Sequence, residues 1–128
     1  MITGRGCKND RIRDLRAVLQ WKDLPLLKID ITEGNVKSLE LLVEHDSSYL
    51  PLIFKWKRVT YDNLNYFLES RLLPKTRQDL NNTLKRLNLP KYSWEGLIEK
   101  TYGLNTDDCY WFKPLGSSLT YNDIKLRD

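Results

Sequence analysis

The chain has 128 residues, 41% of them hydrophobic and 30% charged, and a formal net charge of +4. That size accommodates one domain (residues 1–128) with a real core, and no apolar run approaches the roughly 20 residues of a membrane span. The N-terminal MITGRGCKNDRIRD lacks the apolar stretch of a secretory signal, and Cys7, Cys109 and a single histidine argue against a zinc site or a disulfide framework, so a cytoplasmic protein is expected.

Residues 1–13 read as a basic arm, with Arg5, Lys8, Arg11 and Arg13. LRAVLQW (15–21) and LPLLKIDI (24–31) follow as two strands separated by a tight turn at Lys22-Asp23. In the second, Leu27, Ile29 and Ile31 alternate with Lys28 and Asp30, the period of a half-buried strand. TEGN (32–35) is a turn signal, and Val36 to Val43 return as a third antiparallel strand with imperfect alternation. HDSSYLP (45–51) leads to a short apolar piece, Leu52 to Phe54, and the basic KWKR (55–58).

From Thr60 onward the period becomes helical. Thr60 is a candidate N-cap, and Tyr61, Leu64, Phe67 and Leu68 fall on one face. Pro74 interrupts. Thr76 with Asp79 resembles a capping box, and Leu80, Leu84 and Leu87 predict a helix over 75–87 ending at Asn88 or Pro90. Ser93 with Glu95 and Gly96 opens a third helix that buries Leu97 and Ile98, with Gly103 just beyond its end. CYWFKP (109–114) predicts a last strand, and Thr120 caps a final helical turn. The fold class is α+β: an N-terminal antiparallel β-meander packed on a cluster of two to three short helices, with one late strand.

Catalysis finds little support. His45 sits in VEHDSS among residue types that could form a triad, but triads are assembled by the fold and not by neighbours on one loop. Cys7 and Cys109 lack the basic partner of a thiolate nucleophile, apart from Lys8 beside Cys7. Asp107-Asp108 reads as a cap or a solvated bend, and neither GxxxxGK[ST] nor GxGxxG occurs. No catalytic residue, metal ligand, cofactor or small-molecule substrate is assigned, and an enzyme is not expected.

Binding is better supported. Net charge is +3 over residues 1–16, +3 over 55–58 and +5 over 71–91. Such segregation suits an acidic surface, whether phosphates or a protein patch. On the helix over 75–87, Arg77, Asn81 and Lys85 form a stripe opposite the leucines, with Gln78, Asn82 and Arg86 nearby. Together with Arg71 and Lys75 these residues make a candidate nucleic-acid interface. FKWKRVTY (54–61) interleaves Phe54, Trp56 and Tyr61 with Lys55, Lys57 and Arg58, a pattern that fits base stacking or, equally, a strand with alternate aromatics facing a core.

Protein binding is the third class, because four tryptophans and seven tyrosines are many for this length and these types dominate interface hot spots. Tyr110 and Phe112 alternate with Trp111. The expectation is Trp111 in the core behind a left-handed Gly103, with Tyr110 and Phe112 on the opposite face, as a partner site unless the chain covers them.

RLLPKTRQDLNNTLKRLNL and LIEKTYGLNTDDCYWFKPLGSSLTYNDI carry Arg71, Pro74, Arg77, Gly103, Leu104, Asp108, Tyr110, Trp111, Leu119, Tyr121, Asp123 and Ile124 in a pattern that resembles small proteins and N-terminal segments encoded by Firmicutes and their phages. VLQWKDLPLLKIDI resembles the opening of the same segments. In some members the segment precedes a domain similar to the HipA kinases of toxin–antitoxin systems. The resemblance implies a stand-alone accessory module that carries no catalytic residues. Its partner would be a kinase-like protein, or a host defence effector inhibited in the manner of an anti-CRISPR protein. The alternative is direct binding of nucleic acid through the basic helix.

Overall fold

The computed structural model describes residues 11–56, 58–74, 76–105 and 108–125. Strands β1 (Leu15–Trp21) and β2 (Leu24–Thr32) form a hairpin across Lys22-Asp23, with Lys22 at φ 52°. Glu33 and Gly34, at φ 51° and 80°, supply the two left-handed positions that a type I′ turn needs before β3 (Asn35–Leu41). Strand β4 (Tyr110–Pro114) returns to pair with β1, giving a four-stranded antiparallel sheet in the order β3-β2-β1-β4. The architecture is the predicted α+β meander with short helices and a late strand.

Register decides which face is buried. Leu19 lies opposite both Leu27 and Phe112, and Ala17 opposite Ile29. All five are buried, and they pack in one core with Phe54, Leu64, Leu68, Leu97 and Ile98 from the helices. On the opposite face Arg16, Lys28 and Glu40 reach solvent, as is usual for an antiparallel sheet covered on one side.

The described residues include five short helices, α1 (Leu52–Trp56), α2 (Tyr61–Arg71), α3 (Leu80–Arg86), α4 (Trp94–Thr101) and α5 (Tyr121–Ile124), and the first four of them supply buried side chains while α5 supplies none. Thr60 Oγ1 accepts from the Asn63 amide at 3.1 Å and Ser93 Oγ from the Gly96 amide at 3.0 Å, so both predicted caps form. Thr120 donates its amide to the Asp123 carboxylate at 2.7 Å. The predicted helix over 75–87 is shorter than expected. It begins at Leu80, and Asp79 holds the N-cap position without a capping bond, because its carboxylate faces Arg77 Nε at 2.5 Å.

The aromatic run faces the other way from the expectation. Phe112, 1% exposed, belongs to the core beneath the helices. Trp111 is also fully buried, but on the opposite face of β4, where its indole N–H donates to the Lys22 carbonyl at 2.5 Å and its ring meets Tyr102 edge-on at 6.2 Å. The cause is register: Phe112 pairs with the core residue Leu19, which sends Trp111 to the side of Gln20. Gly103 is left-handed (φ 68°) as expected, yet the ring it admits is that of Phe112.

Of the basic arm, residues 1–10 lie outside the described residues, while 11–13 are tied down. Arg11 pairs with Asp62. The Ile12 amide donates to Asn65 Oδ1 and its carbonyl accepts from Tyr61 Oη, both at 2.7 Å. The Arg13 amide donates to Glu95 at 2.7 Å. Both sheet edges are interrupted. Ile31 pairs with Val36 but Asp30 with Ser38, which leaves Lys37 as an extra residue bulged out of β3. Strand β4 ends in Lys113 and Pro114. Among the described residues no helix is long and apolar enough to cross a membrane.

Candidate functional site

The largest exposed aromatic surface arises from α1. Pro51 opens this single turn, its carbonyl accepting from the Phe54 amide at 3.0 Å and the Lys55 amide at 3.3 Å. At 3.6 residues per turn, Phe54 points away from Leu52 and Trp56, which share a face. Phe54 is accordingly buried in the core, with its ring 5.6 Å from that of Phe67. Leu52 is 65% exposed and Trp56 81% exposed. Half-buried Lys55 and exposed Arg58 flank them, and Tyr66 is exposed on α2; Lys57 lies outside the described residues.

The strand reading of FKWKRVTY does not hold. Its first three residues belong to the helical turn α1, so Phe54 is core and Trp56 is surface, where strand alternation would have put both on one side. Sequence reasoning missed Leu52, whose spacing of four from Trp56 was the available signal.

The remaining sequence candidates are dispersed. Arg71, expected to meet a partner, has a side chain only 4% exposed. Its guanidinium donates to the Gly103 carbonyl at 2.8 Å, to both Asp108 oxygens at 3.1 and 2.9 Å, and to the Tyr110 carbonyl at 3.3 Å. It also lies over the ring of Phe67 at 5.1 Å. A buried cation needs such pairing, and the pairing withdraws it from any phosphate.

Phe112 is likewise removed from the surface by core packing, and Tyr110 is half-buried against that core. Arg77 is engaged by Asp79, and Lys75 lies outside the described residues. Arg77 stays exposed all the same, as do Asn81, Lys85 and Arg86, the last donating to Thr83 Oγ1 at 3.2 Å. His45 is exposed in the loop after β3. Among the described residues no group of three or more His, Cys, Asp or Glu could hold a metal ion.

Tyr110 closes the joint between sheet and helices. Its hydroxyl donates to the Tyr49 carbonyl at 2.6 Å, and its ring meets Phe67 edge-on at 6.1 Å. Burial, reinforced by the Asp108 carboxylate, raises its pKa above the ordinary 10.0, with Arg71 opposing. The folded state therefore favours the neutral phenol. Its contribution is complete below the unfolded pKa and is lost as pH rises through the raised folded value. Tyr110→Phe should flatten this alkaline loss while costing about 1 kcal/mol at neutral pH for the hydrogen bond. Denaturant midpoints of both proteins, followed from neutral pH into the alkaline range, check this.

No family model, curated protein or solved structure matches this chain.

Proposed function

We propose that the protein is a non-enzymatic accessory module that binds a protein partner and modulates it, with the α1 corner as the contact. The observation that carries this reading is Trp56, 81% exposed one turn from Leu52 at 65%. Leaving two large apolar side chains in water forfeits about 1.5–3 kcal/mol each relative to full burial, which a partner covering them recovers. Lys55 and Arg58 beside them fit an acidic rim on that partner. The resemblance noted for residues 71–124 suggests a kinase-like protein or a defence effector.

Affinity capture of the tagged protein from its host, with and without nuclease, tests this. A stoichiometric protein that survives nuclease should be recovered by the parent and lost with Trp56→Ala, for which a hot-spot loss of about 2 kcal/mol or more in binding is expected. The same substitution should leave stability within about 0.5 kcal/mol, since the side chain packs on little of its own chain. Undiminished capture by Trp56→Ala overturns the α1 contact. Recovery of nucleic acid alone, lost when Asn81 and Lys85 become Glu, would instead make the protein a direct nucleic-acid binder through α3.

A further inference from the structure

The outer sides of α1 and α2 carry opposite charges. The two helices meet through Phe54 and Phe67, whose rings lie 5.6 Å apart. On the far side of α2, Asp62, Tyr66 and Glu69 follow one another at spacings of four and three, so they share one stripe. All three are exposed, Tyr66 at 61%. On α1 and just beyond it, Leu52 and Trp56 stand with Lys55 and Arg58.

The charges that could bind are not spent within the chain. Lys55, Arg58 and Glu69 enter no ion pair or side-chain hydrogen bond among the described residues. Asp62 is held by Arg11, so the acid that α2 offers is Glu69. One helix thus presents an aromatic ring beside an unpaired acid, and its neighbour presents an aromatic ring between unpaired cations.

A surface with these two halves fits a copy of itself. Across a two-fold axis, α1 of one copy meets α2 of the other, and the same contact forms twice. Each contact sets Leu52 and Trp56 against Tyr66, and Lys55 and Arg58 against Glu69. Exposed ion pairs add little affinity, so the aromatic rings anchor the contact and the charges fix which faces meet. The net charge of +4 repels two copies at a distance, but physiological salt screens that repulsion beyond about 8 Å.

We infer that two copies of this chain pair reciprocally through the outer faces of α1 and α2, in a dimer that covers Trp56. A contact of a few side chains per copy belongs to the small, transient class of interfaces. The proposed partner uses the same indole, so dimer and partner exclude one another. Only this exclusion rests on the partner reading; the pairing itself does not.

Sedimentation velocity of the full chain, from about 5 to about 500 µM, should show a concentration-dependent shift from monomer to dimer. Trp56→Ala should weaken the association by at least about tenfold, and Glu69→Lys by at least a few-fold. Both are surface changes that keep the fold. The combined change Lys55→Glu with Arg58→Glu sets acid against acid, whereas Glu69→Lys sets base against base. Mixed in equal amounts, these two variants should regain the dimer that each has lost alone, because every contact again joins opposite signs.

A chain that stays monomeric throughout, or a mixture that associates no better than its components, overturns the pairing and leaves the α1 partner proposal standing. Capture of the partner by Glu69→Lys should be undiminished. A dimer that forms as described, beside capture that survives Trp56→Ala, upholds the pairing and removes the partner from α1.

Discussion

Arg71→Ala should destabilise the protein by about 2–4 kcal/mol, below the top of the range for breaking a buried ion pair because Asp108 keeps some solvent. The Asp108 side chain is 31% exposed, whereas that of Arg71 is 4% exposed. Removing the guanidinium strands more than the carboxylate. The carbonyls of Gly103 and Tyr110 lose their shared donor, and the end of α2 is no longer tied to the start of β4. Arg71→Lys keeps the charge but replaces a planar fork by a point donor, so it should recover less than half of the loss. Urea denaturation of the three proteins measures this. A change within about 0.5 kcal/mol for Arg71→Ala would show the node to be inert, and a drop in nucleic-acid affinity without a drop in stability would return Arg71 to the candidate interface.

Gly103→Ala should cost a similar amount, about 2–5 kcal/mol, from two sources. At φ 68° a side chain at this position is strained in itself, by about 1–2 kcal/mol. A Cβ there would also stand 2.6 Å from Phe112 Cδ2 and 2.9 Å from its Cε2. The ring cannot swing aside, because Phe112 is 1% exposed within the core and its amide donates to the Tyr102 carbonyl at 2.8 Å. The double variant Gly103→Ala with Phe112→Leu separates the two sources. If the clash matters, the pair should be less destabilised than the sum of the single changes; strict additivity would leave only the backbone strain. Thermal and urea melts of the four proteins complete the cycle.

The meander was legible because its signals are local: alternation in Leu27 to Ile31, and a turn at Glu33-Gly34 that needs only two left-handed residues. The caps at Thr60 and Ser93 were legible for the same reason, each acting within three residues. What the sequence hid depends on partners far along the chain. Arg71 reads as a solvent-seeking cation until Asp108, 37 residues later, and the Gly103 carbonyl close around it.

Alternation showed that Trp111 and Phe112 face opposite ways. Only the pairing of Phe112 with Leu19, far upstream, says which of them meets the helices. Trp56 was visible as an unusual aromatic among cations, but its exposure follows from α1 being a helical turn, and five residues are too few to announce a period. Of the candidate site, Lys55 and Arg58 stay at the surface beside Trp56, while the arginine stripe loses Arg71 to the interior.

The interrupted sheet edges bear on how the protein behaves when crowded. A flat strand margin invites another chain to continue the ladder, and such growth ignores side-chain identity. Lys37 bulging from β3 and Pro114 closing β4 deny that route at both margins. Assembly with a neighbour is left to side chains, where the sign of a charge and the fit of an indole can discriminate. The exposed tryptophan of α1 thus sits on a chain whose sheet margins do not favour growth into fibres.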